Sequence, residues 1–292
     1  MENHFLSDPF FKTKTFNQKQ GSNPVSLIIS FYNNTELLKM IFAALKKQSF
    51  SNFEVVIADD GSSETSVNQV HNLAENATFP VKHCWHEDKG WRKNIILNEA
   101  IRQSEGTYLL FIDGDCIPHH CFIEEHFQAR IEGKVITGRR VQLTEKMTRN
   151  LKVAQIKNGD IERFWIKMLF LALFSKVKHP ENAIRIKKQC LRKIFVKDKE
   201  NGILGCNFSI FKSDILKVNG FDERFLHPGT GEDTDLNSRL LRAGVGTISK
   251  KHLLTMFHIY HKKFDLAHQP NIDLWNENNK NQVTYTPYGI FK

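Results

Sequence analysis

Asp113-Gly114-Asp115 sets two carboxylates one glycine apart. Carboxylates at that spacing make a hard oxygen site for a divalent cation that carries phosphate oxygens. The triplet follows an apolar run at 108–112, which predicts a buried parallel strand. Open α/β sheets bind ligands just beyond the C-terminal ends of such strands. An isolated Asp-x-Asp also fits a surface turn, so the remaining polar clusters carry the argument.

Three further clusters stand at predicted strand ends. They are Ser30-Phe31-Tyr32-Asn33, Asp59-Asp60-Gly61-Ser62 and the stretch His86-Glu87-Asp88-Lys89-Gly90-Trp91-Arg92-Lys93-Asn94. Together with the Asp-Gly-Asp they supply an aromatic ring, acidic acceptors, an arginine suited to phosphate and a metal site. That combination suits a nucleotide diphosphate. Neither Gly-x-x-x-x-Gly-Lys nor Gly-x-Gly-x-x-Gly occurs, so metal and Arg92 are expected to hold the phosphates. A fifth cluster, Gly231-Glu232-Asp233-Thr234-Asp235, opens a predicted helix. The helix dipole there favours ionised carboxylates, and an ionised carboxylate in a cleft can take a proton from a hydroxyl. Simple capping by Asp233 or Thr234 fits the same residues. His258-Ile259-Tyr260-His261 offers two imidazoles, either of which can complete a metal site or stand as an ordinary core or surface histidine.

The elements that position these groups follow from periodicity. Residues 25–32 predict a strand and 35–48 a helix with Thr35 as N-cap. Strands are expected at 53–58 and 81–85, with a helix between them from about 65 to 75. A helix at 91–103 buries Ile95, Ile96, Leu97, Ala100 and Ile101. This alternation predicts a mostly parallel sheet covered by helices, with the four strand-end clusters on one edge. In the second half, 135–143 and 205–212 read as strands, Gly220-Phe221-Asp222 as a turn, and 234–243 as a helix ended by Gly244.

The bulk composition is that of an ordinary globular protein, with 292 residues and 40% hydrophobic content. Cys84, Cys116, Cys121, Cys190 and Cys206 contain no Cys-x-x-Cys and read as reduced thiols, not a disulfide framework or a zinc site. The polar N-terminus lacks the layout of a signal peptide, and no apolar run reaches the ~20 residues of a membrane span. The expected location is cytoplasmic or peripheral on the inner face of the cell membrane. The net charge of +9 is confined to residues 145–200, which carry fifteen Lys and Arg against six Asp and Glu. One reading of this segment is a basic, aromatic-rich surface for an anionic membrane. The other is that 164–174 packs in the core or at a subunit contact, with solvated lysines around it.

In this order, the clusters resemble the family 2 nucleotide-sugar glycosyltransferases, whose fold is called GT-A. The second half, through Gly205-Cys206-Asn207-Phe208-Ser209, Val218-Asn219-Gly220-Phe221-Asp222 and Gly231-Glu232-Asp233-Thr234-Asp235, resembles the C-terminal region of the β-1,4-galactosyltransferases. The resemblance implies an α/β GT-A fold, a mostly parallel central sheet flanked by helices, with a basic helical insert. It implies a nucleotide-sugar site of Ser30, Tyr32, Asp60, Arg92, Asp113 and Gly114. Tyr32 would lie against the uracil of a UDP-sugar, Asp60 would contact the base, and Arg92 the base or phosphate. Asp115, with Asp113 and His258 (His261 as rival), would hold Mn²⁺ or Mg²⁺. Asp233 would be the general base of an inverting transfer, with Glu232 orienting a sugar. The implied acceptor is a glycan or lipid-linked molecule in bacterial surface polysaccharide or lipopolysaccharide synthesis. One departure is Leu226-His227-Pro228-Gly229 in place of the tryptophans of the galactosyltransferases, which bears on sugar preference.

The implied organisation is a polar N-terminal tail at 1–24, a single catalytic domain at 25–270 and a C-terminal tail at 271–292. Within the domain, 25–133 is the nucleotide-binding half, 145–200 the basic insert and 201–262 the acceptor and catalytic half. A sugar-nucleotide pyrophosphorylase is the alternative enzyme, but its glycine-rich phosphate loop is missing. A non-catalytic basic protein for membrane or nucleic acid is the alternative binder. The balanced charge outside the insert and the lack of an RNP-like motif speak against nucleic acid.

Overall fold

Four of the predicted strands become the parallel centre of an eight-stranded sheet. The computed structural model describes residues 10–18, 23–163, 179–186, 202–229, 231–262 and 268–292. After an edge strand β1 (Phe11–Phe16) come β2 (Val25–Phe31), β3 (Phe53–Asp59), β4 (Val81–His86) and β5 (Tyr108–Asp113). β4, β3, β2 and β5 lie side by side in that order, all parallel. The chain steps outward from β2 to β4, then returns to place β5 on the other side of β2. The crevice between the ends of β2 and β5 is therefore a topological switch point, the place where such sheets bind ligands.

Both faces of the sheet are covered. Leu27 and Ile29 pack with α1 (Thr35–Leu45) and α2 (Glu64–Glu75), while Ile28 and Val56 pack with α3 (Lys93–Gln103). This is why β2 and β3 read as continuous apolar runs, without alternation. The borders of the sheet are antiparallel, with β1 on β4 and β9 (Asn207–Phe211) between β5 and β7 (Lys134–Thr137). β10 (Gly246–Ser249) pairs in parallel with β7. A separate three-stranded sheet orders β6 (Cys116–Pro118), β11 (Thr255–His258) and β8 (Arg139–Gln142). The single strand expected at 135–143 is thus two strands in two sheets. The chain changes sheet at Gly138, whose N–H donates to the Asn207 carbonyl.

Other expectations are corrected by packing. Asn34, not Thr35, caps α1, because its side chain accepts from the Leu37 N–H. The helix expected at 91–103 starts at Lys93. The N-terminal segment expected as a tail contributes β1, and its Phe11 ring stacks on His86. Residues 283–292 are not a loose tail. Asn219, in the left-handed region, donates to the carbonyls of Thr286 and Phe291, and Ile290 is buried beside it. Within the basic insert the structure describes three short α-helices, α5 (Glu145–Asn150), α6 (Val153–Lys157) and α7 (Asp160–Arg163), and a 3-10 turn at Pro180–Ala183. The apolar stretch 164–174 lies outside the described residues, as does Cys190. Cys84, Cys116, Cys121 and Cys206 are buried free thiols. After α8 (Lys212–Leu216), helix α9 (Glu232–Arg242) is fastened by buried Arg239, which pairs with Asp235 and donates to the carbonyls of Val218 and Gly220. α10 (Gln269–Lys280) follows, and its Asn278 donates to Asp235. No helix among the described residues is long and apolar enough to cross a membrane.

A buried polar chain ties α4 (Phe122–Ala129) to both sheets. His126 bonds Ser209 Oγ through Nδ1 and Asn207 Oδ1 through Nε2, and Asn207 donates to the carbonyls of Arg139 and Leu254. Burial pushes the His126 pKa down to about 3, with the Asn207 bond only partly opposing it. An unfolded chain takes up this proton near pH 6.5. The stability held by neutral His126 is therefore complete above that pH and is lost as pH falls toward 3. We expect His126→Gln to cost about 1–3 kcal/mol at pH 7. Urea unfolding should show the gap between variant and wild type narrowing at pH 4; a gap that is constant with pH would contradict a neutral buried histidine.

Candidate active site

The four strand-end clusters meet on one edge, joined by short polar contacts. At the switch point Ser30 Oγ donates to Asp113 Oδ1 at 2.8 Å. Gly114 follows because a side chain there would run into the Ser30 carbonyl. Tyr32, half exposed, donates its hydroxyl to Asp88 at 3.0 Å, and Asn33 N–H donates to Ser62 Oγ at 2.8 Å. The Asp60 carboxylate accepts from the Arg92 backbone N–H at 2.9 Å and from His86 Nε2 at 2.8 Å. These contacts clamp the loop before α3 against the ends of β2 and β3. Ser30, Tyr32, Asp60, Asp88, Trp91 and Lys93 line a cavity of about 300 Å³. That volume is at the small end of ligand pockets, and its rim offers an aromatic ring beside carboxylates. The Arg92 guanidinium donates to the Glu87 carbonyl, while its Nε is buried without a partner among the described residues.

Lys93, the first residue of α3, was not singled out by sequence reasoning. Its ammonium lies 3.0 Å from Asp113 Oδ1 and 3.1 Å from Glu232 Oε1, joining the end of β5 to the start of α9. Burial disfavours the ammonium, but the charges of Asp113, Glu232 and Asp233 override it and hold its pKa well above the ordinary value. Glu232 sits on the other side of that balance. Burial, with Asp233 and Asp113 adding repulsion against the pull of Lys93, raises its pKa to about 7. Its Oε2 is buried with no partner among the described residues. Asp233 is also raised, by burial and by repulsion from Asp113, against opposition from Lys93, the Gly205 N–H and Arg140. Gly205 donates to Asp233 Oδ2 at 2.9 Å. Any side chain at Gly205 would overlap that carboxylate, so the glycine is a condition of the contact.

The small sheet builds the third part of the site. β11 and β6 pair His258 with Cys116, which brings the imidazole to the adjacent Asp115. His258 Nε2 lies 3.2 Å and His261 Nε2 3.3 Å from the same oxygen, Asp115 Oδ2. Both rival histidines therefore reach the carboxylate, with His258 the more buried. Burial alone would raise the Asp115 pKa; the hydrogen bond and charge of His258, with His261 behind, bring it down to about 2. One carboxylate oxygen facing two imidazoles is a donor set that fits a divalent ion, and imidazole favours a first-row transition ion over Mg²⁺. Asp113 is instead committed to Ser30 and Lys93. Asp88, Trp91, Lys93 and Gly205 thus join the expected residues. Lys93 had no local signal, because its partner Glu232 is 139 positions away.

The family model described as Glycosyl transferase family 2 matches residues 26–215, and one described as N-terminal domain of galactosyltransferase matches 188–262. Among curated relatives, chondroitin synthase of Escherichia coli is 23% identical over 75% of this chain and 32% of its own length. Validoxylamine A glucosyltransferase of Streptomyces hygroscopicus subsp. jinggangensis is 24% identical over 78% of this chain and 54% of its own. The chain therefore spans from about a third to about half of these relatives. Among solved structures, the mannosyltransferase PcManGT of Pyrobaculum calidifontis, in complex with GDP-Man and Mn²⁺, aligns with a TM-score of 0.53 at 14% identity, covering 84% of this chain and 59% of that one. TarS of S. aureus aligns with a TM-score of 0.54 at 15% identity, over 81% and 36%. The fold is GT-A.

The charge balance at Lys93 is testable on its own terms. Removing one partner of a buried ion pair costs about 3–5 kcal/mol. We expect Lys93→Met to show that loss at pH 8.5, above the raised Glu232 value, where Asp113 and Glu232 lose their counter-ion. Because Glu232 has a raised pKa, it takes up a proton below about 7, and the loss should shrink at pH 5.5. Urea midpoints at the two pH values decide it: an equal loss at both would refute the cluster.

Proposed function

The chain belongs to the family 2 glycosyltransferases, and on that premise we propose an inverting, metal-dependent transfer from a nucleotide sugar, UDP-linked, to a glycan or lipid-linked acceptor of surface polysaccharide synthesis. The observation that carries this reading is the Lys93 bridge, which joins the nucleotide pocket to a carboxylate pair of raised proton affinity.

In this reading the nucleotide lies in the cavity at the ends of β2 and β3, its base against Tyr32 and next to Asp60. Arg92 exchanges its contact with the Glu87 carbonyl for the base or a phosphate, with its unpartnered Nε as a second donor. Asp115 with His258, and His261 beside it, holds the divalent ion, Mn²⁺ being favoured over Mg²⁺ by the imidazoles. A bound ion there neutralises the departing diphosphate. Asp233 takes the proton of the acceptor hydroxyl, whose oxygen bonds to the anomeric carbon as the bond to the diphosphate oxygen breaks. Attack from the face opposite the leaving group inverts that carbon. A general base gains from proton affinity above that of an ordinary aspartate, and burial and Asp113 raise that of Asp233. Gly205 aims its carboxylate, and Glu232, with Oε2 unpartnered, accepts a sugar hydroxyl.

Asp233→Asn should nearly abolish transfer while donor binding, read by calorimetry with the nucleotide sugar and Mn²⁺, survives. Gly205→Ala, which displaces the same carboxylate, should lower kcat about 10²-fold with little change in donor affinity. In wild type the acid limb of kcat/KM should fall above 3.8, the ordinary aspartate value, because the Asp233 pKa is raised. Full turnover by the asparagine variant would remove Asp233 from the base role.

The basic segment 145–200 fits an anionic membrane surface that would carry a lipid-linked acceptor. Flotation with anionic liposomes at low salt should carry the protein upward and release it at high salt. Absence of binding at low salt would reject this role.

A further inference from the structure

A second cluster of metal-binding side chains lies away from the Asp115 site, where β6 turns into α4. His119, His120 and Cys121 follow one another, and their ligand atoms all lie within 4.8 Å of one another. Glu162 of α7 comes down on the two histidines from the basic insert. Its Oε2 contacts His120 Nδ1 and lies 3.5 Å from His119 Nε2, while its Oε1 accepts the His120 backbone N–H at 2.8 Å. Cysteine spacing carried no hint of this group, because only the fold brings Glu162 to the three consecutive residues.

We propose that His119, His120, Cys121 and Glu162 form a structural site for a borderline-soft divalent ion, zinc by its ligand chemistry. The set is two imidazoles, one thiolate and one carboxylate, all ligands that zinc takes. His119, His120 and Cys121 already hold their ligand atoms within 4.8 Å of one another, and Glu162, which reaches the two imidazoles, is the fourth protein donor of a closed tetrahedral shell, as in structural sites. With bonds of about 2.0–2.3 Å, donors in such a shell stand roughly 3.3–3.8 Å apart. The His119–Glu162 separation already falls in that range. The closer His120–Glu162 contact opens as the ion takes the place of the shared proton.

The surroundings hold the ligands in place. Gln48 donates to the His119 carbonyl at 2.9 Å and accepts the Ile123 N–H at 3.1 Å, and Ser49 N–H donates to the His120 carbonyl at 2.9 Å. Such outer contacts orient the ligands of metal sites. Cys121 is buried, while His120 is 40% exposed and gives the ion a way in. A thiolate and imidazoles select a softer ion than the Asp115 site takes, so the two sites differ in metal. The ion fastens the first part of the basic insert to the turn after β6, the strand that directly follows Asp115, and this inference does not depend on the transfer chemistry.

Metal-stripped full-length protein would be titrated with Co²⁺, then with Zn²⁺. Wild type should show the thiolate-to-cobalt charge-transfer band, removed by about one equivalent of Zn²⁺. That band should vanish in Cys121→Ser and survive in Cys116→Ser, the thiol next to Asp115. His120→Ala, at the exposed ligand, and Glu162→Gln should each weaken Zn²⁺ binding at least tenfold, with circular dichroism of the metal-free proteins unchanged. Zn²⁺ should raise the melting temperature of wild type and not of Glu162→Gln. No charge-transfer band in wild type would overturn the proposal, as would a band lost with Cys116 and kept without Cys121. Zn²⁺ affinity unchanged in His120→Ala would leave only a histidine–glutamate hydrogen bond.

Discussion

One ammonium balances three carboxylates at the heart of this protein. Lys93 neutralises Asp113 and Glu232 directly, and Asp233 stands within reach of its charge. Buried charges of one sign cannot collect without a counter-ion, because desolvation and mutual repulsion both oppose it. The position of Lys93 therefore constrains everything that meets there. It sits on the first turn of α3, and the loop before that turn is pinned by the Asp60 bond to the Arg92 N–H and by the Tyr32 bond to Asp88. The cavity at the ends of β2 and β3 and the acidic start of α9 are consequently parts of one polar network.

The second constraint is the change of sheet at Gly138. It sends β7 into the large sheet and β8 into the small one, with Asn207 bonded across the junction. The small sheet then carries Asp115 on one strand boundary and His258 on its neighbour, at a register that faces their side chains toward each other. A one-residue slip in that pairing would turn His258 to the opposite face and dissolve the donor set. The contact between Asp115 and His258 thus depends on the register of a three-residue strand. Asn207, bonded to His126, fastens the starts of the other two strands, β8 and β11, at the carbonyls of Arg139 and Leu254.

Much of this was readable in the chain. The strands that deliver Tyr32, Asp60 and Asp113 announce themselves as apolar runs because both faces of the sheet are buried, and polar residues begin where the strands leave the core. The acidic helix start at Glu232 was equally plain. What failed were features set by distant partners. Residues 283–292 looked like a tail because nothing local reveals that Asn219 binds their carbonyls. The strand at 135–143 read as one because hydrophobic pattern does not report a crossing between sheets. Lys93 looked like one more lysine in a basic helix start.

The sequence by itself determined the chemical inventory of the site and its delivery to one edge of a parallel sheet, since periodicity and strand-end polarity are local properties of the backbone. Tertiary structure alone decided which charges pair. It gave Asp113 to Lys93 and Ser30, left Asp115 to two histidines, and set Glu162 over His119 and His120. The physical reason is the same in each case. Electrostatic partnership falls off over a few ångströms of space, and residues far apart in the chain come that close only when strand order, register and helix packing are complete.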